Sequence, residues 1–126
     1  MNNYLLDSDI LIWCLRKRED TVSLVQGLNE EGSLGCSAAC IVEIQAGAKS
    51  HEVKKTSLLL DALRVYLMDR SIANLAGKYL REHRLKGVTL DFVDSVVAAT
   101  AVLNNLILVT YNTKHYPMSE VRLYQS

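Results

Sequence analysis

Three carboxylates stand where this chain has little packing use for a charge. Asp7 interrupts YLLDSDILIW, Glu43 lies inside ACIVEIQAGA, and Asp94 lies inside FVDSVVAATA. An ionised carboxylate buried among aliphatic side chains without a partner costs several kcal/mol. Each acid taken singly has an ordinary explanation. Asp7 can cap the helix that follows it, Glu43 can pair with an arginine or lysine, and Asp94 can complete a capping arrangement begun by Asp91. Asp91 reads as a plain N-cap as readily as a chemical group. Asp9 reads as a first-turn acid facing the helix dipole.

Taken together, the three acids point to chemistry. Carboxylates crowded at one place repel, and a counter-ion relieves the repulsion. Mg²⁺, or Mn²⁺ in its place, is a hard cation that takes oxygen ligands and keeps several waters. A histidine–cysteine zinc site is not indicated: Cys36 and Cys40 are four apart, but Cys40 has no nearby histidine. A carboxylate-held Mg²⁺ is a usual means of hydrolysing a phosphodiester, because it activates water and stabilises charge on phosphate oxygens.

The elements that must position these acids alternate in type. Short apolar runs at residues 3–6, 33–36, 65–68, 106–109 and 121–124 read as strands. Residues 9–15, 21–31, 38–49, 53–63, 71–85 and 91–103 read as helices. Ser37 and Asp69 are suited to N-caps, and Gly87 to a helix stop. Strands alternating with helices predict an α/β fold with a mainly parallel sheet of about four to five strands flanked by helices. Sites in such sheets form at the carboxyl ends of the strands. Asp7, Ser37, Thr110 and Asn112 all fall at such ends.

Bulk properties bound the function less tightly. The 126 residues suit one domain, residues 1–126, and 49% are hydrophobic. No apolar run reaches the roughly 20 residues of a membrane span. The opening MNNYLLDSD does not read as a signal peptide, and the three cysteines in apolar contexts suit reduced thiols in the cytoplasm. Fourteen basic residues balance fourteen acidic ones. Net charge therefore gives no argument for nucleic acid, and any such argument rests on local clusters such as Arg16-Lys17-Arg18 and the basic run around Arg84.

Three motifs carry a resemblance. LLDSDILI, SAACIVEIQAGA and DSVVAATAVLNNLILVTYNTKHYP, in that order along nearly the whole chain, resemble the motifs of PIN-domain ribonucleases, specifically the VapC-like toxins of toxin–antitoxin pairs. The resemblance implies a PIN-like domain and a Mg²⁺-dependent endoribonuclease. Asp7, Glu43 and Asp94 are its implied metal-holding catalytic acids, with Ser37, Thr110 and Asn112 around them. The family often carries a fourth acid at or after Thr-x-Asn, and here residues 110–115 hold none. Asp91, one helical turn before Asp94, is the substitute candidate, and Asn112 is a candidate to hold Asp7. Arg16, Lys17 and Arg84 are candidate contacts to the RNA backbone. The resemblance further implies a homodimer and a small VapB-like antitoxin that covers the acidic site.

Two other readings compete. A phosphatase of the haloacid-dehalogenase type accounts for the spacing Asp7-Ser8-Asp9 at a strand end, but its later lysine and acid pair have no clear place. A non-catalytic receiver-like or scaffold domain accounts for the length and the α/β pattern, with Asp69 after a strand.

Overall fold

The computed structural model describes residues 2–125. Five strands form one sheet: β1 (Asn2–Leu6), β2 (Gly32–Ser37), β3 (Arg64–Tyr66), β4 (Ile107–Val109) and β5 (Arg122–Leu123). Their order is β3-β2-β1-β4-β5, and every pairing is parallel. Six α-helices connect and cover them: α1 (Ser8–Leu15), α2 (Glu19–Glu31), α3 (Ala38–Gly47), α4 (Val53–Asp61), α5 (Arg70–Leu85) and α6 (Phe92–Leu103). The expected α/β architecture is the observed one.

A parallel sheet covered on both faces needs strands that are apolar at every position, and side chains that alternate between two cores. The buried half of the central strand β1, Tyr4–Leu6, meets this demand. Leu5 joins a cluster with Leu108 and the small residues Val96, Val97, Ala98 and Ala99 of α6. Tyr4 and Leu6 enter the opposite cluster with Ile10, Leu11, Leu28 and Val109. The register sets Leu6 beside Val109 and Ser37 beside Tyr66. The carboxyl ends of β1, β2 and β4 therefore gather along one rim, and Asp7, Ala38 and Thr110 follow directly from them.

Helix ends follow local chemistry. Asp69 Oδ1 accepts from Ile72 N at 2.9 Å and caps α5, so this acid is spent on the cap. Gly87 adopts φ +76°, and Val88 N returns to His83 O at 2.9 Å to close the helix. Asn105, with φ 55°, ends α6 in the same way and turns the chain straight into β4. Several boundaries differ from expectation by one or two residues, and α2 begins at Glu19, two residues early. A 3₁₀ turn at Ser50–Glu52, held by Lys49 N on Glu52 Oε1 at 2.9 Å, precedes α4. β3 stops at Tyr66 because its partner β2 stops at Ser37, which leaves Leu67 and Met68 exposed. α3 ends at Gly47, two residues early.

Two predictions test this packing. A Cβ at Gly35 would lie 2.5 Å from the Tyr66 ring and 2.8 Å from the Arg64 carbonyl oxygen. Gly35→Ala is expected to cost about 1–3 kcal/mol, read as a lower urea midpoint. Cys36 and Cys40 are buried, and burial pushes their thiols up to about 11 and about 12. In the native protein at pH 8, iodoacetamide is expected to leave both unmodified by mass spectrometry, and to label them once urea unfolds the chain.

Candidate functional site

Asp7 is the fixed point of the rim. Its amide donates to Val109 O at 3.0 Å, which locks it to β4. Its Oδ1 accepts from Ser8 N at 2.8 Å and caps α1. Its Oδ2 accepts from Thr110 Oγ1 at 2.9 Å and from the Tyr116 hydroxyl at 2.7 Å. The carboxylate is 5% exposed, so these bonds replace most of its water. The cap anticipated for Asp7 is present, together with two contacts that a cap does not require.

Asp94 faces Asp7 from the first turn of α6. The Tyr116 hydroxyl also lies 3.2 Å from Asp94 Oδ1, so one phenol spans the two acids. His115 Nδ1 sits 3.1 Å from Asp94 Oδ2. Burial, then the charges of Asp7 and Asp91, push the Asp94 carboxyl up to about 6, against the opposing pull of His115 and Tyr116. Burial, followed by the charges of Asp7 and Asp94 and the hydrogen bond to Asp7, raises the Tyr116 phenol, which stays a proton donor.

Asp9 is more than a first-turn acid. Its Oδ2 accepts from Tyr111 N at 2.9 Å and Asn112 Nδ2 at 3.2 Å, and lies 3.4 Å from Thr110 Oγ1. It staples α1 to the loop after β4. Burial and the charge of Asp7 raise its pKa, and the Tyr111 and Ile10 amides and the Thr110 hydroxyl partly offset the rise. Asn112 thus holds Asp9, not Asp7. Thr110 contacts both.

The remaining expected residues divide. Glu43 is exposed, since its side of α3 faces outward, and it lines the same cleft without a hydrogen bond to the other acids. Crowding therefore falls on Asp7, Asp94 and Asp9, while Glu43 stands at the rim. Asp91 is an N-cap: its Oδ2 accepts from Val93 N at 3.0 Å and Asp94 N at 3.3 Å. It also lines the cleft, one oxygen uncommitted. Ser37 is buried and accepts from Ala39 N at 3.1 Å, which makes it the cap of α3 and leaves it outside the cleft lining. Arg16 lines a groove with Ile12 and Glu43, and Arg84 lines another with Val88 and Leu90. Lys17 is exposed beyond the end of α1.

Asp7, Asp9, Glu43, Asp91 and Asp94 line one open cleft of about 400 Å³, with His115 its only basic lining residue among those described. Among the described residues, no group of three His, Cys, Asp or Glu side chains is placed to hold a metal ion as it stands. The donor set nevertheless fits Mg²⁺, which is commonly held by one or two carboxylates and completed by waters and phosphate oxygens. The Ser8 hydroxyl, buried in the cleft lining, has no hydrogen-bond partner within ordinary distance. Sequence reasoning underweighted Asp9, His115 and Tyr116. The acid-x-acid spacing of Asp7 and Asp9 was the available signal for the first; nothing in the spacing places a phenol between Asp7 and Asp94.

Comparison with known proteins identifies the family. Residues 4–121 match the family profile of the PIN domain, and the chain belongs to that family. It is 32% identical to Ribonuclease VapC10 of Mycobacterium tuberculosis, over 92% of this chain and 87% of that one. Its fold superposes on VapBC2 of Rickettsia felis, solved bound to a promoter DNA fragment, with a TM-score of 0.86 at 20% identity, covering 97% of each chain. A toxin–antitoxin complex from Klebsiella pneumoniae matches with a TM-score of 0.77 at 26% identity, covering 98% of this chain and 99% of that one. No helix among the described residues is long and apolar enough to cross a membrane.

The two roles open to Asp91 separate in a pair of variants. Asn caps a helix about as well as Asp, so Asp91→Asn is expected to keep the thermal midpoint, whereas Asp91→Ala loses about 1 kcal/mol. Equal destabilisation in both variants would show that the charge, not the cap, stabilises α6.

Proposed function

We propose that this chain is a Mg²⁺-dependent endoribonuclease, with Mn²⁺ an acceptable substitute, acting as the toxin of a toxin–antitoxin pair. The observation that carries the reading is the acidic cleft: five carboxylates line a site that a polyanionic substrate can approach only if a cation intervenes. The names of the relatives support the same class, since VapC10 is named a ribonuclease.

In this reading Asp7 and Asp94 would hold the metal, with Glu43 at the rim of the same cleft. Bound there, Mg²⁺ supplies a water of lowered pKa and neutralises charge on the phosphate oxygens. The chain's own groups prepare the ground. Tyr116 and Thr110 donate to Asp7 Oδ2 and so fix the orientation of the carboxylate that would hold the metal. Asp9 ties the loop carrying Thr110 and Asn112 against α1. His115 stands beside Asp94 where the family's fourth acid is missing, and it offers the cleft a donor for a phosphate oxygen.

Two partners accompany the reading. The structural neighbours are named toxin–antitoxin complexes, which supports a VapB-like antitoxin that covers the cleft in the resting pair. A second copy of this chain is the proposed cover for the apolar face of Val42, Met68 and Phe92, which are 70%, 48% and 61% exposed. The phosphatase and scaffold readings are not favoured, because the family is a different one and Asp69 is a cap.

Purified, partner-free protein is expected to cut RNA with Mg²⁺ and to stop with chelator. Asp7→Asn and Asp94→Asn are expected to fold and to lose at least about 100-fold in rate, as loss of a metal ligand does. Full cleavage by either variant would overturn the assignment.

A further inference from the structure

The chain's single tryptophan, Trp13, belongs to neither core cluster. A large aromatic left outside the core generally has a contact to make. Its surroundings show which kind. The end of α1 closes with Lys17 N on Cys14 O and Arg18 N on Trp13 O, both at 3.0 Å, with Lys17 at φ 59°. Glycine usually takes that left-handed position, and here lysine does. The turn folds Arg18 back over the tryptophan. The Arg18 guanidinium stands 5.1 Å from the Trp13 ring and 5.2 Å from the Tyr111 ring, and Arg16 stands 5.5 Å from Trp13.

This stack is rigidly tied to the acidic cleft. The Tyr111 amide is held by Asp9 at 2.9 Å, and the Tyr111 hydroxyl lies 2.5 Å from Oγ1 of the buried Thr21. Asp20 fixes Arg18 Nε at 2.7 Å. Tyr111 remains 42% exposed, and both arginines are exposed. Planar aromatic and guanidinium faces, held beside a positive run, are the surface on which unpaired bases stack, with arginines near enough to meet the flanking phosphates. A base inside a duplex has no free face to offer.

We infer that Trp13, Arg18 and Tyr111 form a stacking platform for an unpaired nucleotide of the RNA, next to the scissile phosphate. The inference rests on the ribonuclease reading and deepens it.

Trp13 is its own reporter, because no other tryptophan emits. The wild-type protein with Mg²⁺ is titrated with a labelled single-stranded oligoribonucleotide whose phosphates resist hydrolysis and with a duplex of the same sequence. Label anisotropy reads binding and tryptophan emission reads the platform. The expected result is saturable quenching by the single strand in step with anisotropy, and none by the duplex. Tyr111→Leu, checked for a native thermal melt, is expected to bind the single strand about ten-fold more weakly. Binding by anisotropy with unchanged Trp13 emission, or equal quenching by the duplex, overturns the platform and leaves the ribonuclease reading standing. If wild-type protein neither binds nor cuts any RNA, both readings fall.

Discussion

The structure depends on holding like charges close together. Asp7 and Asp94 come from opposite ends of the sequence, yet one phenol, Tyr116, reaches both. Such a pair repels, and burial deepens the cost, as the raised pKa of Asp94 records. A fold that maintains this arrangement carries an unfavourable interaction, one that a divalent cation in the proposed site would relieve. The apolar sheet and the helices on its two faces provide the rigidity that keeps the acids from swinging apart.

The loop after β4 does most of the positioning. Within seven residues it supplies Thr110 to Asp7, the Tyr111 amide and Asn112 to Asp9, and His115 and Tyr116 to Asp94. Asp7 and Asp9 thus act in two directions. They face the cleft, and they also anchor the segment that shapes it. The same segment carries Tyr111 outward toward Trp13 and Arg18. The proposed metal site and the proposed base platform are joined through one short stretch of backbone.

Much of this was legible in the sequence because burial leaves a strong pattern. Apolar runs at β1 and β4 and the small residues of α6 specify a doubly covered parallel sheet, and the sheet brings strand ends to one rim. Charges that interrupt those runs, Asp7 and Asp94, stood out for the same reason. Glu43 was misjudged in its setting: ACIVEIQAGA is apolar or small except at Glu43 and Gln45, but α3 turns Val42 and Glu43 outward, and a short helix with so few polar positions does not reveal its buried face. Tyr116 was illegible because its role depends on where a loop returns in space. β3 ended early because strand length is set by the partner, here Ser37 of β2.

The central claim is that Asp7 and Asp94 share a divalent cation. The most direct test is Mn²⁺ binding followed by electron paramagnetic resonance, comparing the wild-type chain with Asp94→Asn at the same pH. The account predicts that the wild type depletes the free Mn²⁺ signal with saturation and that the variant leaves most of it free. Equal depletion by the two proteins would place the cation elsewhere and contradict the account.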